Sequence, residues 1–430
     1  MRRFLAGMIL PSLILVAGLA LDAWLPSDPQ GGLVPTTSAS ALDDPRLART
    51  ARYVESLNQG HRHPSRREPL GRPGMLFSFR MPDHVKQQYW EGRGDDNPGE
   101  FQWADVELAI EGRPPFRILS RVRGSSSAEV ARKSLSLRLF SSQHFADEIR
   151  LRRFLLINLY ADPTGFKNRW CFNLLAEIGL YPGYHELATV EFNGESQGAY
   201  MVLERPEDAI RRAFPDTVSV FRRRTDHFQL KYREPGTDAW EAIRSLEACH
   251  AADDFQVQAR CYERTLDLEQ YLHWRAFNSL VQNGDSIDEL FYYERREHPQ
   301  VPGRLQLMGW DFDDVQQEAA HPNDVHPDPL MWAAEGELDR QIISNPVLYA
   351  RYKAVLAGML GERLSEERLD SELISVERKI QGMTTNLPPD VAIRVAQQAA
   401  AEIDSFRRRL LRRRTELLQR AVPSHARAGE

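Results

Sequence analysis

Cysteine is scarce in this chain: three in 430 residues, too few for a disulfide scaffold. Cys171, Cys249 and Cys261 show no standard zinc-site spacing. An excess of positive charge is also missing. Fifty-five Lys and Arg stand against 61 Asp and Glu, a net charge of −6, which argues against a protein that works by neutralising nucleic-acid phosphates. There are no internal repeats. With 42% hydrophobic and 27% charged residues the composition is globular, which excludes wholesale disorder and a polytopic membrane protein.

One long apolar run is present. Arg2 and Arg3 precede 18 uncharged residues, 4–21. As a helix this run spans about 27 Å, just short of a bilayer core. We read residues 1–25 as a secretory signal or an uncleaved N-terminal membrane anchor, and the arginines place the rest of the chain outside the cytoplasm. Outside the cytoplasm Cys249 and Cys261 can bridge a short loop; free thiols are the alternative. Cys171 falls in an apolar helical pattern and reads as core.

Residues 26–70 are rich in Gly, Pro, Ser, Thr and Arg and read as a linker. Strand patterns occupy 75–79, 103–110, 116–122, 133–140 and 152–159, then a helix over 167–179 capped by Asp162 or Thr164. Asn193-Gly194 predicts a hairpin between 188–192 and 198–203. Beyond Pro206 the pattern becomes mostly helical. It is interrupted by strands at 291–293 and 304–312, and residues 338–421 are helical apart from a turn at 384–390. Residues 422–430 form a tail. The arginines at 407–409 and 412–414 read as a solvated helix face. The fold class expected is α+β, with a strand-rich half (71–204) and a helical half (205–421) joined near Glu204.

Three stretches carry candidate chemistry. In MGWDFDD (308–314), a strand places Asp311 and Asp313 on one face, roughly 7 Å apart, with Trp310 and Phe312 on the other. Side-by-side carboxylates call for a cation, and oxygen-only ligands suit Mg²⁺ or Mn²⁺. An acidic strand end capping a turn is the plainer reading. Gly309 allows a close approach to the backbone. In NGDSIDELFYY (283–293), the loop acids come after a buried helix, where either a catalytic base or a simple Asx-turn fits. In RVRGSSS (121–127), a Gly-Ser loop with arginines, with Lys133 beyond it on an apolar strand face, suits a polyphosphate; a hairpin loop with a snorkelling lysine is the alternative.

Taken with LLINLYADPTGFKNRW (155–170) and VEFNGESQGAYMVLERPED (190–208), these stretches resemble the CotH kinase-like family, in family order and with family-like spacing. The resemblance implies a reduced, atypical two-lobed protein-kinase-like fold. It further implies ATP and Mg²⁺ or Mn²⁺ as ligands, and a protein Ser/Thr acceptor. By that likeness Asp285 is the catalytic-loop aspartate, Asp311 the metal-binding aspartate and Asp313 its support. Lys133 and Arg123 meet the phosphates, Glu204 lies near the adenine edge where the lobes join, and Glu177 is the ion-pair partner of Lys133. Two positions depart from the pattern: Glu289 stands where the family has asparagine, and Lys167-Asn168 replaces Arg-Asn. The motifs of ordinary kinases (G-x-G-x-x-G, H-R-D, D-F-G) are absent. Three rival readings share these residues: transfer of AMP or another group, a non-catalytic surface-binding protein on the same scaffold, and a metal hydrolase recruiting His321 and His326.

Overall fold

A computed structural model describes residues 75–91, 102–110, 113–124, 132–145, 150–159, 162–224, 227–288, 290–296, 303–312, 314–316 and 328–421. The N-terminal apolar run, the linker, Ser125 to Ser127, Glu289, Asp313, His321, His326 and the tail lie outside them. Among the described residues no helix is long and apolar enough to cross a membrane.

The strand-rich half comprises β1 (Met75–Arg80), α1 (Asp83–Glu91), β2 (Ala104–Ile110), β3 (Phe116–Arg123), β4 (Ser134–His144), β5 (Arg150–Ile157), α2 (Phe166–Glu177), β6 (His185–Phe192) and β7 (Glu195–Glu204). Its strands close into a barrel in the order β1-β2-β3-β4-β5-β7-β6, sealed by the parallel pairing of β1 with β6. Alternating residues fill the interior, among them Phe77, Leu108, Leu135, Leu137, Phe154 and Tyr200. The outward Leu155, Leu187, Met201 and Leu203 join a second core around α2. Phe154, Leu155 and Leu156 therefore form a continuous apolar run, because that wall is buried on both faces. Asn193 and Gly194 both have positive φ, as a two-residue hairpin turn requires. The Asn193 side chain also bonds Met81 N at 2.8 Å and Met81 O at 3.0 Å, pinning the barrel seam.

The remainder contains α3 (Pro206–Ala213), β8 (Thr217–Arg223), β9 (Phe228–Arg233), α4 (Glu241–Ala248), α5 (Phe255–Thr265), α6 (Leu268–Val281), β10 (Leu290–Arg295), β11 (Leu305–Gly309), α7 (Glu337–Ser344), α8 (Pro346–Gly358), α9 (Glu366–Met383) and α10 (Pro389–Ala421). Four strands form a second sheet in the order β11-β10-β8-β9. Nearly every face of α6 is buried. The apolar stripe of α10 runs through Val395, Ala399, Ile403, Phe406 and Leu410 at helical spacing. Its arginines do more than face solvent: Arg407 pairs with Asp370, Arg413 donates to Ser279 O, and Arg414 donates to Leu364 O and Leu360 O.

The α+β class holds, and several elements differ from expectation. The two-lobed kinase-like plan is met only in element order, since the strand-rich half is a closed barrel. The hairpin β8–β9 occupies a region expected to be helical. Half-buried, alternating sequences such as that of β9 carry a weak signal. Strand β11 stops at Gly309, so Asp311 does not lie on a strand; its φ is +48°. Helix α2 has Gly165 as N-cap, and Asp162 instead reaches forward to accept from Asn168 N. Cys249 and Cys261 are disulfide-bonded, with 5.5 Å between their Cα atoms. Cys171 is fully buried, as core.

What approaches Gly309 is the Trp274 ring and Leu175: an added Cβ meets Trp274 Cε3 at 3.0 Å and Leu175 Cδ1 at 2.8 Å. Overpacking of this kind costs about 1–3 kcal/mol. Gly309→Ala is expected to lower the urea midpoint accordingly; an unchanged midpoint means that these side chains move aside freely.

Candidate active site

Backbone pairing assembles the site. In the β10–β11 hairpin Leu290 pairs with Gly309, so the turn before β10 and the turn after β11 emerge at the same end. Two further bonds staple these turns: Gly284 N donates to Asp314 O at 2.9 Å, and Gln316 N donates to Val281 O at 2.8 Å. The segments holding Asp285 and Asp311 thus meet, although 26 positions separate the two residues.

The first turn is held from below. Helix α6 ends where Gln282 adopts a left-handed conformation, and Asn283 Oδ1 accepts from Asp285 N at 3.2 Å. Ser286 Oγ accepts from Nη1 of the buried Arg275 at 2.8 Å. Arg275 also donates to the carbonyls of Trp332 and Ala333 and pairs with Asp339 at 3.0 Å; Tyr271 Oη donates to the same carboxylate at 2.8 Å. Burial works against the charge on Arg275, but Asp339 beside it holds the guanidinium above its ordinary range. From the other side, Arg222 Nε donates to Asp288 O at 3.2 Å, and Arg224 pairs with the Asp288 carboxylate at 3.4 Å.

The second turn is anchored by its aromatic residues. Phe312 packs among Phe172, Trp274 and Phe277, and Trp310 packs against Phe172 and Phe291. Phe312 N donates to Asn168 Oδ1 at 3.0 Å, and Asn168 in turn donates through N and Nδ2 to Asp162 Oδ2. The buried chain Asp162–Asn168–Phe312 therefore fixes the backbone next to Asp311. A left-handed non-glycine conformation is uncommon and persists where its surroundings over-determine it.

Burial pushes the Asp162 carboxyl up to about 6, against the pull of Lys167 and of the Asn168 amide. The folded state thus holds this proton more tightly than the unfolded chain, and stability is lost as pH rises from about 4 through 6. In Asp162→Asn that loss disappears. The melting temperature of the variant relative to wild type should rise between pH 4 and pH 7; a flat difference overturns the assignment.

Cations line the barrel side. Arg123 ends β3, opposite Ser134 in the ladder, and Lys133 is buried immediately before β4. Burial lowers Arg123 to about 10, while Asp311 draws it up and Arg222 and Arg205 push it down. It stays charged near neutral pH. Burial also lowers Lys231 to about 8, helped by Arg222, Arg224 and Arg205 and opposed by Glu207. Arg205 pairs with Glu207 at 2.6 Å. Residues from β3, the crossover, β8 and β9 thus form a basic wall, and its Arg123 lies within electrostatic range of Asp311.

Of the expected site residues, Arg123 and Asp311 lie within electrostatic range of each other, and the Asp285 turn is bonded to the segment just beyond Asp311. Glu177 lies elsewhere: its carboxylate takes both Arg368 Nε contacts, at 2.7 and 3.0 Å, so it is not the partner of Lys133. Glu204 is buried, and its carboxylate accepts from Tyr184 N at 3.0 Å and from Arg212 at 2.7 and 2.9 Å. Those bonds make it a strut between β7 and α3. Among the described residues no group of three His, Cys, Asp or Glu side chains forms a metal cage. Asp313 and Glu289 fall outside the described residues. The sequence reading missed Arg205, Arg222, Arg224, Lys231 and Arg275. The run of arginines at 222–224 was visible as charge, but its place depended on the unrecognised β8–β9 hairpin.

Comparison with known proteins shows the family. The CotH kinase protein family model matches residues 120–415, from within β3 to the last helix. The chain belongs to the CotH family. A curated relative, the inner spore coat protein H of Bacillus subtilis (strain 168), is 21% identical over 281 residues, covering 60% of this chain and 75% of that protein. The CotH match spans every residue of the basic wall and both acidic turns.

Proposed function

We propose that the chain is an exported, divalent-metal-dependent protein kinase that transfers the γ-phosphate of ATP to serine or threonine of a protein. The observation that carries this reading is the meeting of two acidic turns with guanidinium groups: Arg123 near Asp311, and Arg222 and Arg224 on Asp288. Such a pairing suits a polyphosphate bound through a cation. Lys133, Arg123, Arg205 and Arg222 hold the phosphates. The oxygen donors of Asp311, with Asp313 and Glu289, fit Mg²⁺ or Mn²⁺, which when bound supplies neutralisation of phosphoryl charge.

Asp285 orients the acceptor hydroxyl and takes its proton. The hydroxyl oxygen forms a bond to the γ-phosphorus as the bond to the β–γ bridging oxygen breaks, and ADP departs. Arg275, through Ser286, keeps the Asp285 turn in register for that in-line geometry. The Cys249–Cys261 disulfide and the basic-then-apolar N-terminus support export, since disulfides persist in oxidising compartments.

The test incubates the purified chain with γ-labelled ATP, Mg²⁺ or Mn²⁺ and a generic basic or acidic protein acceptor. Metal-dependent label on serine or threonine is the expected result. Label from the α-phosphate alone shows AMP transfer instead, and absence of both nucleotide binding and label replaces the kinase by a scaffold that binds partners.

A further inference from the structure

A second concentration of charge lies at the far end of β4 and β5. A pocket of about 440 Å³ there is lined by Arg138, Arg150, Arg152, Arg153 and Arg212, with Glu204 and Asp208 the only acids among the described residues that line it. Both acids are already engaged: Glu204 by Arg212 and Asp208 by Arg153, whose Nε donates at 2.9 Å. Arg138 faces Arg153 directly across the ladder, a like-charge pair that is costly without a counter-charge. Arg138, Arg150 and Arg152 have no acidic partner among the described residues; Arg152 reaches only the Leu139 carbonyl, at 3.4 Å. In a chain of net charge −6, three such guanidiniums around one concavity are a local exception.

The backbone shapes the pocket. The register of β4 against β5 slips between Arg138 and Gln143, which interrupts the ladder over residues 139–142. Ser142 lines the pocket, and Phe140, two residues before it on β4, is 60% exposed. This place is distinct from the polyphosphate cluster. Arg138 lies five residues along from Lys133, roughly 17 Å of extended chain. Helix α3 separates the two: Glu207 belongs to the cluster around Arg123, and Asp208 and Arg212 to the pocket.

We infer that this pocket binds a phosphorylated serine or threonine within an acidic peptide segment of a partner protein. Guanidinium forks match phosphate oxygens in geometry and charge, Ser142 adds a hydroxyl donor, and Phe140 offers an apolar shelf for a neighbouring side chain. The pocket's size admits one or two anionic side chains. The net negative charge of the whole chain disfavours a long nucleic-acid polyanion. The inference stands apart from the transfer reaction, since it concerns binding alone.

The test is fluorescence anisotropy of the full chain with a labelled peptide bearing one phosphoserine between acidic residues, beside the same peptide with serine. The phosphopeptide is expected to bind at least about tenfold more tightly, with affinity falling as salt is raised. The triple variant Arg138→Ala/Arg150→Ala/Arg152→Ala, and separately Ser142→Glu, should each lose about tenfold or more, with unchanged melting temperature. Four results overturn the inference: equal binding of both peptides, unchanged binding in both variants, displacement by ATP at its own dissociation constant, or tighter binding of a single-stranded oligonucleotide.

Discussion

Asp311→Ala abolishes metal-dependent nucleotide binding, whereas Asp285→Asn keeps binding within about twofold and lowers phosphoryl transfer by roughly 10²–10⁴-fold, the usual worth of a positioned general base. The two outcomes differ because the carboxylates act on different partners. Asp311 is held beside Arg123 by Phe312 and Asn168, and in the proposed reaction it would supply an oxygen ligand to the divalent cation. Asp285 sits on the turn bonded to Asn283 and Asp314, and in the proposed reaction it would orient the acceptor hydroxyl. Asparagine retains the shape and a carbonyl acceptor but takes no proton. Calorimetric titration of ATP with and without Mg²⁺, paired with single-turnover transfer, separates the effects. If both variants bind and transfer like wild type, the site is elsewhere.

Asp339→Ala has the largest expected effect on stability. It leaves the fully buried Arg275 guanidinium without its counter-ion, and removing one member of a buried ion pair costs about 3–5 kcal/mol. Arg275→Met is milder in stability, because Asp339 still accepts from Tyr271 Oη at 2.8 Å and Gly336 N at 3.1 Å. Its signature is kinetic instead. Losing the donor to Ser286 loosens the Asp285 turn, so turnover falls while nucleotide affinity holds. Urea unfolding of both variants, read beside kcat and ATP affinity, checks this. Equal destabilisation of the two, with turnover unchanged in Arg275→Met, removes Arg275 from its positioning role.

Local patterns carried much of this protein. The Asn193-Gly194 turn was legible because few residue pairs tolerate two successive positive φ values, and the β4 alternation because one of its faces lines the barrel. The acidic turns were legible because their flanking aromatics must be buried, which leaves the carboxylates as the exposed chemistry. Positions whose role depends on a distant partner were not. Glu177 looked available for Lys133, yet Arg368 on α9, 191 residues on, takes it. Arg275 looked like one more residue of a helix, and only its pairing with Asp339 on α7 and its bond to Ser286 make it a support of the Asp285 turn.

By itself the sequence determined the α+β class, the order of most strands and the family, and it singled out Asp285, Asp311, Arg123 and Lys133 as site candidates. Those come from side-chain periodicity and residue chemistry, which are properties of neighbours along the chain. Tertiary structure alone decided the rest. Closure of the barrel comes from β1 pairing with β6, more than a hundred residues away. The left-handed Asp311 and the basic wall drawn from β3, the crossover, β8 and β9 arise where remote segments pack. Such contacts are selected by burial and hydrogen bonding among surfaces that exist only after the chain has folded, so no local stretch encodes them alone.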